Sequence, residues 1–337
     1  MKSNDMSQTL LNIQKKSTKK KMIMFGLITF CVFFVAFFSF IVLNIYAVCP
    51  SSERHWANTY RDSIGFGIES ERITLKTDDN IALAAWRTRA ENSIGTVIIV
   101  SGRQTPSVTL FFGYAKMFSD YGWDSLLIEK RGRNLSEGDE IGFGMTEWLD
   151  VKAGVDYLSS DEIMRDLPII AMGTIFSDAV IIAAGEVERI DAVISITSPA
   201  SFIDILSDYA NYSKVPHFIQ YFNPFIAKMV IGFRFGFDAW DYTPINGITK
   251  LGDRPILLMH STEDILVPIS QFEKLYQKAL ENDIDVKTFV REGNYFFVCD
   301  NEHILEPTLD VEFSQTILNF LDNVKINFYQ QYHVRMD

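Results

Sequence analysis

The sequence is poor in the residues that staple a fold or hold a metal. It has three cysteines and five histidines in 337 residues. Cys31 lies inside an apolar run, so Cys49 and Cys299 form the one conceivable disulfide. No disulfide framework is implied, no metal-ligand spacing occurs, and no cofactor motif stands out. Internal repeats and low-complexity tracts are absent. Beyond the N-terminus acidic residues outnumber basic ones. Residues 1–21 hold Lys2, Lys15, Lys16, Lys19, Lys20 and Lys21 against Asp5, a net +5, so the remainder carries −17 of the formal charge of −12. A body this acidic repels phosphate backbones, which argues against nucleic acid as a partner.

Charge is missing altogether from Met22 to Val48, 27 residues that include Phe33-Phe34-Val35-Ala36-Phe37-Phe38. As a helix this run reaches roughly 40 Å, longer than the ~30 Å hydrocarbon core of a bilayer. The neighbouring lysines predict a cytoplasmic N-terminus, with the rest of the chain on the extracytoplasmic side of a single span. A cleaved signal peptide is the competing reading. Its apolar region is usually only ~7–15 residues, and Ile45-Tyr46-Ala47-Val48-Cys49 makes a poor cleavage site and a poor lipoprotein box. The expected layout is a basic tail at 1–21, an anchor at 22–48 and a linker at 49–70, followed by one large domain.

What is present beyond the anchor is ample core material, with 47% hydrophobic and 13% aromatic residues. Ile73–Lys76 and Ile81–Trp86 read as two short strands about the Asp78-Asp79-Asn80 turn. Gly95–Val100 is a β-branched run suited to a strand buried on both faces. Helical spacing at Leu110–Tyr121, 147–158, 178–188, 271–281 and 313–321 then alternates with strand-like runs at 125–128, 169–172, 192–196, 255–259 and 286–290. That alternation predicts an α/β fold with a mainly parallel sheet covered on both faces. The aromatic-rich stretch from about 199 to 250 breaks the rhythm and reads as a helical cap insertion, its aromatics mostly packing the cap onto the body. Asn134-Leu135-Ser136 and Asn211-Tyr212-Ser213 fit glycosylation sequons.

Several local patterns fall in an order that resembles the α/β-hydrolase superfamily, in particular its serine-aminopeptidase and lysophospholipase-like branch. Ser101-Gly102 follows the buried strand where that family has the His-Gly of its oxyanion-hole turn. Glu129–Gly138 is similar to D-x-R-G-x-G-x-S-x-G, and Gly144–Asp150 to G-x-x-E-x-x-D. His260–Pro268 is similar to the H-G-x-x-D-x-x-V-P acid loop. The resemblance covers roughly 70–322 and implies an α/β-hydrolase-fold domain at 71–325, with a tail at 326–337.

Hydrolysis on that fold needs an oxygen nucleophile on a tight strand-to-helix turn, a histidine base and an acid that orients it. At the family's G-x-S-x-G turn this chain has Gly173-Thr174-Ile175-Phe176-Ser177. Ile175 stands at the nucleophile position, with no atom able to attack a carbonyl and a β-branched side chain that resists a strained elbow. Asp264 matches the acid; a turn aspartate bonding its local backbone is the plainer account of it. Phe296 stands nearest the histidine position and cannot accept a proton. A displaced triad would use Ser177 and His303 with Asp264. Serine also suits the first turn of a helix, and His303 lies among acidic loop residues.

Two functional readings follow from the resemblance. One is a membrane protein that keeps the hydrolase scaffold without its chemistry, to bind an apolar or acyl small molecule or a protein partner. The other is an active serine hydrolase of esterase, lipase or peptidase type, acting on ester or amide bonds through Ser177, His303 and Asp264. A tethered structural domain without a ligand is the blandest alternative; an open pocket under the cap would argue against it and a filled one for it.

Overall fold

The computed structural model describes residues 2–48, 60–102, 105, 107–138, 142–174, 176, 178–212, 217–293 and 305–336. It divides into an N-terminal helix and a body beginning at Cys49. The helix, α1 (Lys2–Val48), contains a stretch at Lys16–Phe40 with a mean hydropathy of 2.5, long and apolar enough to cross a membrane. In that stretch the side chains of Met22, Phe25, Leu27, Ile28, Phe30, Phe33 and Phe34 are exposed.

The body alternates strands and helices. Two strands, β1 (Glu71–Lys76) and β2 (Ala82–Thr88), form a hairpin, and β3 (Thr96–Val100) follows. Then come α2 (Phe112–Asp120), β4 (Asp124–Ile128), α3 (Trp148–Ser160), β5 (Ile169–Thr174), α4 (Asp178–Glu186) and β6 (Ala192–Ile196). Three helices, α5 (Phe202–Tyr212), α6 (His217–Phe235) and α7 (Pro244–Ile248), are inserted before β7 (Ile256–Ser261). The chain closes with α8 (Ile269–Glu281), β8 (Val286–Arg291) and α9 (Val311–Met336).

All eight strands form one sheet in the order β1-β2-β4-β3-β5-β6-β7-β8. Only β2 runs antiparallel to its neighbours; every pair from β4 across to β8 is parallel. The β-branched runs explain this arrangement. In β3, Val97 and Ile99 face one core with α2 and α9, while Ile98 and Val100 face the other with α3, α4 and α8. A strand apolar on both sides is stable only between two helical layers.

Two boundaries differ from the sequence reading. The expected linker at 49–70 is part of the body from Tyr60 onward: Tyr60 packs on Trp86, Phe66 on Phe112, and Ile68 is buried. At the other end no tail begins at 326, because α9 runs on to Met336. No glycine or proline interrupts that stretch, so nothing in it breaks a helix.

Two glycines let α4 and α7 touch. A Cβ on Gly185 would lie 2.7 Å from the Gly247 Cα, and one on Gly247 would lie 2.6 Å from the Ile181 carbonyl oxygen. This contact fixes the C-terminal end of α4, whose N-terminal end borders the site described next.

Candidate active site

In a mostly parallel sheet, ligands meet the carboxyl ends of the strands, where loops and helix N-termini converge. Here β5 ends at Thr174 and α4 begins at Asp178, so three residues make the turn. Ile175 and Ser177 lie outside the described residues. Phe176 lies between them with φ 57, a left-handed conformation that a non-glycine residue seldom adopts. Its N–H donates to the Thr197 carbonyl at 2.9 Å, extending the β5–β6 ladder into the turn. The ring is buried against Ile205 of α5 and Val267. Nearby, Phe143 stacks on Phe202 with ring centroids 4.1 Å apart, so α5 covers this end of the sheet.

The oxyanion-type turn after β3 is buried at both Ser101 and Gly102. Among the described residues the Ser101 hydroxyl has no hydrogen-bond partner. Ser101 shares a cavity of about 10 Å³ with Lys130, Glu147, Gly173, Phe176 and Asp178. That is room for about one water-sized group.

Three charged side chains meet at this cavity, each almost fully buried: Lys130 is 5% exposed, Glu147 1% and Asp178 5%. Sequence reasoning missed this meeting. Glu147 has a definite task, accepting from the Gly142 N–H at 2.7 Å, the Gly144 N–H at 2.9 Å and the Thr146 hydroxyl at 3.2 Å. Asp178 accepts from the Ala179 N–H at 3.2 Å. Burial, reinforced by the Glu147 charge, pushes the Asp178 carboxyl up to about 7. Burial pushes the Lys130 ammonium down, against the opposing pull of Glu147. Gly144, at φ +83, lets the loop before α3 touch α4: a Cβ there would lie 3.0 Å from the Ala179 nitrogen and 3.0 Å from the Asp178 Cγ.

The motif residues flanking Lys130 are structural. Arg131 donates from Nε to Asp150 at 2.7 Å and from its backbone N–H at 2.9 Å, and from Nη1 to Asp79 at 2.6 Å. This joins the β1–β2 turn to α3. Glu129 is fully buried and accepts from the Ser107 hydroxyl at 2.8 Å. Ser136, the hydroxyl of the first sequon, is buried and donates to the Glu129 carbonyl at 2.5 Å. That sequon is folded into the body.

Asp264 follows β7, and its Oδ1 accepts from the Leu266 and Val267 amides, both at 2.8 Å. His260, 1% exposed, meets the Val267 carbonyl through Nε2 at 2.8 Å and packs on Phe272. Burial lowers its pKa, so the ring stays neutral. Beyond β8, Gly293 is tied to the acid loop: its N–H donates to the Thr262 hydroxyl at 2.9 Å, and its carbonyl accepts from Glu263 at 3.0 Å. The segment that follows, with Phe296, Cys299 and His303, lies outside the described residues, as does Cys49. Among the described residues no group of three His, Cys, Asp or Glu side chains is placed to hold a metal ion.

No family model matches the chain. YqkD of Bacillus subtilis is 27% identical over 240 residues, covering 68% of this chain and 72% of that protein. A membrane protein of Saccharomyces cerevisiae, YNL320W, is 25% identical over 229 residues, covering 66% and 74%. Among solved structures, the esterase Pf2001 of Pyrococcus furiosus is similar with a TM-score of 0.60 at 18% identity, covering 78% of this chain and 94% of that one. An acylaminoacyl peptidase of Pyrococcus horikoshii gives a TM-score of 0.58 at 14% identity, covering 76% and 41%. Likeness at these identities carries architecture, and chemistry has to be argued from the site itself.

Proposed function

From a chain that has the α/β-hydrolase fold, we infer a membrane-anchored protein that does not run the serine-hydrolase reaction and keeps the site at the carboxyl ends of its strands for binding. The observation that carries this reading is the turn between Thr174 and Asp178. Its first two positions hold Ile175 and Phe176, hydrocarbon side chains that cannot attack a carbonyl. The Phe176 N–H, which would serve an oxyanion if Ile175 held the nucleophile position, is given to the Thr197 carbonyl. Phe296 at the base position points the same way. Asp264 then acts as a turn residue, its Oδ1 taken up by two amides.

Anchoring is supported by the Lys16–Phe40 stretch and by the likeness to a yeast membrane protein. The lysine block beside the span favours a cytoplasmic N-terminus and an extracytoplasmic body.

A second reading, an active esterase or peptidase using Ser177, His303 and Asp264, draws support from the hydrolases that share the fold. A fluorophosphonate probe separates the two. The full chain in detergent micelles should stay unlabelled, as should Ser177→Ala. Labelling of the wild type that Ser177→Ala abolishes overturns the non-hydrolytic reading.

A further inference from the structure

The lysines before the apolar run repel one another, and α1 holds nothing to offset them. Lys16, Lys19, Lys20 and Lys21 lie within two turns of this helix, and all four are exposed. A helix sets positions three and four apart side by side, so Lys16 faces both Lys19 and Lys20. Like charges at these spacings destabilise a helix. Between Asp5 and Glu53 the sequence has no carboxylate. Asp5 itself is about 16 Å from Lys16 along the helix axis, beyond the reach of an ion pair. The counter-charge has to come from outside α1.

The four are not equivalent. Lys16, Lys20 and Lys21 line one groove with Ser17 and Met24, and Lys19 is not part of it. On a helix the five groove positions span an arc of roughly 140°, with Lys19 to one side of it. Met24 lies one turn beyond Lys20, about 6 Å further into the apolar stretch. The groove thus presents three ammonium groups and a hydroxyl at one level and a thioether at the next. Its complement is an anion that carries hydrocarbon. A phosphodiester meets the lysine level with charge-assisted hydrogen bonds, and acyl chains continue beside Met24.

We propose that this groove binds the head group of an anionic phospholipid in the leaflet that the lysines face. This rests on the reading of α1 as a membrane span and names the lipid that the span selects. The span supplies the occupant, because a helix that enters a bilayer at Met22 has head groups beside Lys16–Lys21. A zwitterionic head group brings its own cation and offsets nothing. An anionic one set between Lys16 and Lys20 answers the repulsion across that turn.

The test uses the full chain reconstituted in phosphatidylcholine vesicles with a trace of spin-labelled phosphatidylserine or phosphatidylcholine. Electron spin resonance reads the fraction of each probe held at the protein. Phosphatidylserine should be held about fivefold more strongly. Lys16→Gln/Lys20→Gln/Lys21→Gln should abolish that preference. Ser17→Asp, which sets a carboxylate among the lysines, should lower it by about twofold or more. Lys19→Gln should lower it less than Lys20→Gln does. Inorganic phosphate at matched ionic strength has no acyl chains and should leave it unchanged. The proposal fails if the wild type shows no preference, if the triple variant keeps it, or if Ser17→Asp leaves it intact. It also fails if Lys19→Gln costs as much as Lys20→Gln, or if inorganic phosphate displaces the lipid. The substituted residues lie outside the body, so its folding is not at stake. Flotation of the same vesicles keeps this inference apart from the anchoring reading. A chain that does not float with them has no span, whereas one that floats without preferring phosphatidylserine lacks only the groove's selectivity.

Discussion

The Phe176 amide donates to the Thr197 carbonyl at 2.9 Å, and the Thr197 amide in turn donates to the Met259 carbonyl at 2.9 Å. The turn after β5 is thereby fastened through the end of β6 to β7. Both linked residues hold left-handed backbone, Phe176 at φ 57 and Thr197 at φ 59. For a β-branched threonine this conformation costs on the order of 1–3 kcal/mol, and it persists only where surrounding bonds over-determine it. A turn fastened this way holds its amide inward, away from any oxyanion.

Restoring a hydroxyl alone should therefore not restore chemistry. Ile175→Ser is expected to fold and to remain as inactive as the wild type toward p-nitrophenyl butyrate and the fluorophosphonate probe. The Phe176 N–H is still committed, and Phe296 still supplies no base. Turnover that appears in this single variant would show that the turn can release its donor.

Asp264 yields a separate expectation, for stability. Its Oδ1 takes both turn amides, and an asparagine offers a carbonyl oxygen in the same place. Asp264→Asn should cost a few tenths of a kcal/mol, whereas Asp264→Ala should cost about 1–2 kcal/mol by leaving both amides without an acceptor. Denaturant melts of the two variants check this. An equal loss in both would mean that the charge, not the hydrogen bonding, matters at this position.

Much of the architecture was legible because it rests on local patterns. The run read as Ala192–Ile196 is a strand with those bounds, the run read from Gly95 to Val100 is a strand from Thr96, and the aromatic stretch after β6 holds the helices α5, α6 and α7. The site was legible only as a set of positions. Lys130, Glu147 and Asp178 come from the ends of three different elements, and no spacing rule links residues brought together by a sheet. A lysine directly after a buried strand was the one available signal. The role of Glu147 could not be read either, since its partners are backbone amides, which leave no mark in a sequence. Nor could the left-handed backbone at Phe176, which depends on the bonds that hold the turn.

Gly144 tests how closely the loop before α3 must approach α4. It combines φ +83 with an imagined Cβ 2.9 Å from Ile182 Cδ1 and 3.0 Å from the Ala179 nitrogen. Gly144→Ala should cost about 2 kcal/mol or more, through backbone strain and overpacking together. A chemical melt that moves by less than half of this would mean that the loop shifts freely. The Glu147 bonds to the Gly142 and Gly144 amides would then be too weak to hold it.

The raised pKa of Asp178 gives the body a pH dependence whose sign can be worked out. Unfolded, the carboxyl titrates near its ordinary 3.8; folded, burial and the Glu147 charge raise it to about 7. Between those values the folded state holds a proton that the unfolded state has released, so stability falls as pH rises. This contribution is whole below about pH 4 and lost as pH climbs through about 7. The groups facing Asp178 are Glu147, which opposes its ionisation, and Lys130, which favours it. Asparagine mimics the protonated acid at every pH, so Asp178→Asn should match the wild type at about pH 4 and exceed it increasingly up to about pH 7. Thermal melts of the full chain in micelles across that range read the difference directly. A gap that stays constant with pH would mean that Asp178 is ionised throughout, and that Lys130, despite making no direct contact, neutralises it.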